Sequence, residues 1–233
     1  MTADRKPQGL ESDDILAGRY PEVTFGINVQ LIGMDSMRIG AGSLVGDDCW
    51  LNVCVRDGQP RLVIGEKVCV GRHSVLSTAE RLEIGSFCLF APRVYLADVD
   101  HAYERLDLPV VEQGLLSHGK LTVEENCWMG INATVIGGIT VGRGSVVAAN
   151  SVVLDTVPPF SVVAGSPARI VRMYDPLLKQ WRKIAGSEDL RAMETIRRDH
   201  PLPDRESYLK TLRSNSRITE IIPAAAGRGM HMP

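Results

Sequence analysis

Aromatic residues are scarce in this sequence: Phe, Trp and Tyr together supply 5% of 233 residues. A core built from such a composition is aliphatic and narrow. No charge sign is in excess either, since 26 Lys and Arg face 28 Asp and Glu for a formal net charge of −2. That balance removes the electrostatic reason to expect a nucleic-acid or anionic-membrane partner. The five cysteines (Cys49, Cys54, Cys69, Cys88, Cys127) are odd in number and lack CxxC spacing, so neither a disulfide framework nor a zinc cage is suggested. The opening MTADRKPQGLESDD lacks an apolar signal core, and no run of about 18 apolar residues could span a bilayer. A cytoplasmic protein with reduced thiols and no membrane insertion is the expectation.

What the sequence has in abundance is a six-residue beat. From Ile39 it reads IGAGSL, VGDDCW, LNVCVR; from Ile64, IGEKVC, VGRHSV, LSTAER; from Ile84, IGSFCL, FAPRVY, LADVDH. From Val123 it reads VEENCW, MGINAT, VIGGIT, and from Val141, VGRGSV, VAANSV, VLDTVP. The first position is always large and apolar, and the fifth is Ser, Cys, Val, Ala or Ile except at Glu80 and Asp100. A period of six fits neither a helix at 3.6 nor simple strand alternation at 2. It fits a short strand and a turn, three of which close a triangular coil of eighteen residues that stacks on the next in parallel. The expected fold is therefore an all-β parallel β-helix of about five coils over 29–173, its first positions pointing inward. Gly at the second position is expected to relax the corner backbone. Cys49, Cys69, Cys88 and Cys127 read as small core or face residues, while the pattern leaves Cys54 unassigned.

Interruptions of a repeat map to loops on one face. The segment 57–63 is a short excursion, and 102–122 is a long insertion between the third and fourth coils. Its take-off is the polar run Asp98-Val99-Asp100-His101, where a fifth-position carboxylate, Asp100, conflicts with a packed interior; chemistry is expected there. Residues 1–28 are expected to be an N-terminal segment and cap over one open end. Residues 174–222 are expected to be a helical extension covering the other, with helices starting at Asp175-Pro176, Ser187 and Asp204. Residues 223–233 are expected to be a flexible tail.

The hexads, together with WMG at 128–130, VVAANSVV at 146–153 and GSPARIVR at 165–172, resemble the left-handed β-helix (hexapeptide-repeat) acyltransferases. The stretch LADVDHAYERLDLPVVEQG is similar to sugar and polysaccharide O-acetyltransferases of the galactoside and maltose type. The resemblance implies a left-handed coil, a homotrimer with acetyl-CoA between adjacent prisms, and a histidine base. It matches His101 to that base and Trp128 to a tryptophan near the acetyl site, with Gly130 following. Asp98 and Gln113 join Trp128 as acceptor-binding candidates. Ala148 and Ala149 match positions presenting amides to the pantetheine arm, and Arg169 and Arg172 match residues reaching the CoA phosphates. Family members often carry Gly where Asn150 stands and Thr-Lys where Leu154-Asp155 stand, and an acid at 155 is unfavourable near a phosphate without a partner.

The reaction so implied is direct acetyl transfer to a sugar hydroxyl in a ternary complex, with no metal. Imidazole suits the base because its unperturbed pKa lies near 6.5. Asp98, Glu104 and Glu112 are unranked candidates for orienting its ring. His118, inside the insertion, is a further candidate for touching the acceptor; His73 is expected to face solvent or a neighbouring subunit, and His200 and His231 have no assigned role. Three rivals use the same architecture: N-acetyl transfer to an amino sugar, a zinc lyase, and a non-catalytic scaffold. The lyase needs three convergent histidines, a spacing that His73, His101 and His118 lack.

Overall fold

Three parallel sheets wrap a single aliphatic column in the computed structural model, which describes residues 13–218. Face A carries Thr24–Phe25, Leu44–Val45, Cys69–Val70, Leu89–Phe90, Trp128–Met129, Val146–Val147 and Ser161–Gly165. Face B carries Gln30–Ile32, Trp50–Val53, Val75–Thr78, Tyr95–Ala97, Thr134–Ile136 and Val152–Val153. Face C carries Met37–Ile39, Leu62–Ile64, Leu82–Ile84, Leu121–Val123 and Thr140–Val141. Residues 1–12, the end of the helical extension and the expected tail with His231 lie outside the described residues.

Register turns the hexad beat into three inward stacks. On face B, Leu31, Leu51, Leu76, Leu96, Val135 and Val153 pair in sequence. On face A the stack is Phe25, Val45, Val70, Phe90, Met129, Val147 and Val163. On face C it is Ile39, Ile64, Ile84, Val123, Val141 and Val157. Nearly all of these are fully buried, each contributing roughly 1.5–3 kcal/mol. The ladder begins one turn before Ile39: FGINVQ and LIGMDS at 25–36 keep the beat, and two extra residues hide it. Val157 likewise takes a first position on face C rather than a fifth one, because the preceding segment is two residues short.

The corners differ from the expected account of glycine. The left-handed backbone sits at the fourth position, in Asn28, Asp48, His73, Arg93, Asn132 and Asn150 on the A/B edge and in Gly42, Lys67, Phe87, Asn126, Gly144 and Phe160 on the C/A edge. The second-position glycines instead permit close stacking of coils. A Cβ on Gly71 would lie 2.5 Å from the carbonyl carbon of Ala91, and one on Gly130 would lie 2.5 Å from the amide nitrogen of Ala149.

Both ends are covered. Helix α1 (Asp13–Arg19) and the turn after it bury Leu16 and Tyr20 in the same core as Leu31. At the far end the expected helix from Asp175 is absent: Ala168–Asp175 and Gln180–Lys183 form an antiparallel hairpin continuing face A. Asp175 does accept two amide bonds, from Leu177 and Leu178 at 2.9 Å each, as a helix cap would. The chain then turns back through left-handed Lys179, and Arg182 reaches the same carboxylate. Helix α2 (Ser187–Asp199) buries Met193 against Met173 and Ile184. Its Arg197 donates to the carbonyls of Pro159, Phe160 and Tyr174, and burial brings that guanidinium down to about 10. Helix α3 (Arg205–Asn215) is a strap rather than an end cap. It runs back along the C/A edge through Arg205–Glu125, Tyr208–Asn126 and Arg213–Glu66.

Candidate functional site

Two prism edges are tight left-handed turns, so every excursion of the coil leaves from the third, the B/C edge. Segment 54–61 and the long insertion both start there. Asp98 roots the insertion. It is fully buried, and its carboxylate accepts from the Thr78 hydroxyl (2.6 Å) and the amides of Ala79 (2.7 Å), Glu80 (3.1 Å) and Arg81 (2.7 Å). This corrects the expectation that Asp98 faces the acceptor: both oxygens are spent on the preceding coil's corner, which makes it a strut.

From that root Val99–His101 pairs antiparallel with Leu115–Ser117 as a two-stranded ribbon. His101 is the last residue of the first strand and is exposed. Among the described residues nothing bonds its ring, and none of the candidates Asp98, Glu104 and Glu112 orients it; the Glu104 carboxylate accepts from the Tyr103 amide. The oriented imidazole is His118, whose Nε2 lies 2.9 Å from Oδ2 of Asp100. Asp100, the apparent intruder at a fifth position, therefore points out of the prism because the coil has already opened. Burial, with the charge of Asp100 and the Cys54 sulfur adding to it, pushes the Tyr95 phenol up. Gln113 clamps the insertion to itself, donating to the carbonyls of Arg105 and Leu108 and accepting from the Arg105 amide. Both amide hydrogens of its side chain are thereby used inside the loop.

The residues matched to CoA lie elsewhere. Trp128 is 51% exposed on face A beside half-exposed Leu89. Gly130, Ala148 and Ala149 sit on the A/B edge, so the strands of face B separate them from His101 within one chain. The amide of Ala148 is used in the coil, bonding Val163 at 2.9 Å, whereas among the described residues the Ala149 amide has no acceptor. A Cβ at Gly130 would come 2.5 Å from that amide nitrogen, the same close stacking of coils as at Gly71. Arg169 pairs with Asp155 at 3.6 Å, which supplies the counter-charge that an acid at 155 needs; Arg172 is exposed on the terminal hairpin. His73 lies 3.7 Å from Asp48 on the A/B edge, and His200 ends α2. The core thiols are shielded: burial raises Cys49 to about 11 and pushes Cys69 and Cys127 up as well.

Residues 120–155 match the family model described as hexapeptide repeat of succinyl-transferase. A protein of Escherichia coli K12 named as a lipopolysaccharide biosynthesis O-acetyl transferase is 30% identical over 132 residues, covering 54% of this chain and 67% of that one. The chain belongs to the hexapeptide-repeat acetyltransferases, and that membership implies the left-handed sense of its coil. A Mycobacterium tuberculosis protein named as a probable acetyltransferase is 33% identical over 136 residues, 58% of this chain and 44% of that protein. The chain thus spans from less than half to two thirds of these relatives. Among solved structures, the Bacillus cereus N-acyltransferase AntD in complex with dTDP and 3-hydroxybutyryl-CoA superposes with a TM-score of 0.55 at 16% identity, over 88% of this chain and 99% of that one. It shares the fold.

Proposed function

We propose that this protein is an acetyl-CoA-dependent O-acetyltransferase that acts on a hydroxyl of a sugar or saccharide, with His101 as general base. The observation that carries the reading is the long insertion at the B/C edge, which lifts an exposed histidine off an otherwise closed prism at a position matching the family's base. The acceptor hydroxyl gives its proton to His101 as its oxygen attacks the thioester carbonyl. The C–S bond then breaks, and the proton returns to the thiolate, leaving an acetyl ester and free CoA. Gly130, Ala149, Arg169 and Arg172 hold the CoA, with Trp128 near the acetyl group. Because His101 and the pair Gly130 and Ala149 lie on different edges of one prism, the complete site forms between copies, as in a homotrimer. The name of the E. coli relative supports a hydroxyl acceptor.

The AntD likeness keeps N-acetylation of an amino sugar as the second reading, since the same prism serves both. Mass spectrometry of products formed from acetyl-CoA with galactose, maltose and glucosamine tests both. O-acetylated sugars are expected, and products confined to the amine would favour the alternative. His101→Ala should lower turnover by about 10²–10⁴-fold with CoA affinity unchanged. Near-wild-type turnover in that variant removes His101 from the mechanism, and failure to bind acetyl-CoA makes the protein a scaffold.

A further inference from the structure

We propose that Asp100 and His118 are a positioning pair that aims His101, an inference resting on the reading of His101 as base. The ribbon that carries His101 has three residue pairs, and an isolated two-stranded ribbon is marginally stable. Its own backbone bonds therefore do not suffice to hold an imbalanced, exposed ring in one place. The structure supplies a side-chain tie across it. Asp100 adjoins His101 in the chain and pairs with Leu116, while His118 follows the opposite strand and places Nε2 on the Asp100 carboxylate at 2.9 Å.

The His118 end of this tie is fixed to the prism. Its amide donates to the Asp98 carbonyl at 2.8 Å, which belongs to the residue buried as the strut. Its carbonyl lies against Gly138 of the next coil, so close that a Cβ there would come within 2.0 Å of the oxygen. Three separate contacts thus lock His118, whereas His101 makes none through its ring. Beyond His101 the ribbon is closed by the Ala102 amide on the Gly114 carbonyl at 3.1 Å. His101 therefore sits between a loop closure on one side and the Asp100–His118 tie on the other. Neither member of the pair needs to touch the reactants to matter, because a misplacement of about 1 Å can cost on the order of 10²-fold in rate.

The test is a double-mutant cycle on the full chain, following free CoA thiol released from acetyl-CoA with galactose, maltose, glucosamine or water as acceptor. His118→Ala is expected to lower kcat about 10–100-fold with KM for acetyl-CoA within about twofold. His118→Gln, which keeps a donor for Asp100, should recover part of the loss. In a His101→Ala background, His118→Ala should change turnover less than about twofold, because the pair acts through a ring no longer present. Losses that multiply in the double variant, or rescue of His118→Ala by added imidazole, would make His118 a proton acceptor in its own right and overturn the positioning role. Wild-type kcat in a folded His118→Ala overturns it too. If His118→Ala fails to fold, His118→Gln and Asp100→Asn carry the same comparison. Absence of thiol release by the wild-type chain, or an unimpaired His101→Ala, overturns the reading of the site itself and this inference with it. An impaired His101→Ala beside an unimpaired His118→Ala removes the inference alone.

Discussion

Replacing Asp98 by Asn changes one atom at a fully buried position, and the geometry fixes the cost. Three donors converge on Oδ2, from Thr78, Glu80 and Arg81, and one on Oδ1, from Ala79. The best placement of Asn puts its remaining oxygen at the Oδ2 position, which keeps three bonds but removes the charge from each. Its NH2 then meets the Ala79 amide donor to donor. Losing one bond to a charged acceptor costs about 1.5–3 kcal/mol, and stranding buried donors adds about 1–3 kcal/mol. The expected loss is about 3–5 kcal/mol, a large part of the ~5–15 kcal/mol of a typical domain. Urea denaturation of Asp98→Asn reads it as a lowered midpoint at similar slope, and amide exchange should speed up at residues 79–81. A loss below about 1 kcal/mol would refute the strut, and intact stability with a raised KM for a saccharide would return Asp98 to acceptor binding.

Other consequences are as direct. Gly130→Ala places a methyl 2.5 Å from the Ala149 nitrogen, forcing two coils apart; a loss of about 1–3 kcal/mol in thermal denaturation is expected. Arg205→Ala leaves the buried Glu125 carboxylate unpaired and should cost about 1–3 kcal/mol, discounted because the arginine is half-exposed; adding Glu125→Gln should restore part of the melting temperature. Burial works to raise the Asp175 carboxyl, but the amides of Leu178 and Leu177 and the Arg182 guanidinium prevail and hold it below the usual range. Its contribution is therefore complete above the ordinary Asp value near 3.9 and is withdrawn as pH falls below it. Exchange at residues 168–183 should rise there in the wild type and already be elevated at neutral pH in Asp175→Ala.

The prism was legible because its constraint is local and repeated: each inward stack requires a large aliphatic residue at one phase, and the sequence writes that phase repeatedly. The first turn escaped notice because two extra residues before Ile39 shift the frame. The terminal hairpin escaped because Asp175-Pro176 carries a helix-start signature that also suits a tight turn, and the tertiary continuation of face A decided between them. At the candidate site, the place where the insertion leaves the coil could be read from the interruption of the beat. The partner relations could not, since an acidic residue two or three places from a histidine says nothing of which ring it meets. Asp100 carried a signal, as a charge at an otherwise small or aliphatic phase. Its explanation required knowing that the strand leaves the column at Asp98.

Restricting growth to a single edge gives the architecture a modular economy. Turns with left-handed residues on the other two edges tolerate no additions, because each holds the pitch between successive rungs. Lengthening or exchanging the segment rooted at Asp98 leaves Leu82–Ile84 and Leu121–Val123 pairing across it as they do here. A descendant of this chain can therefore remodel that one arm without rebuilding the column that carries it.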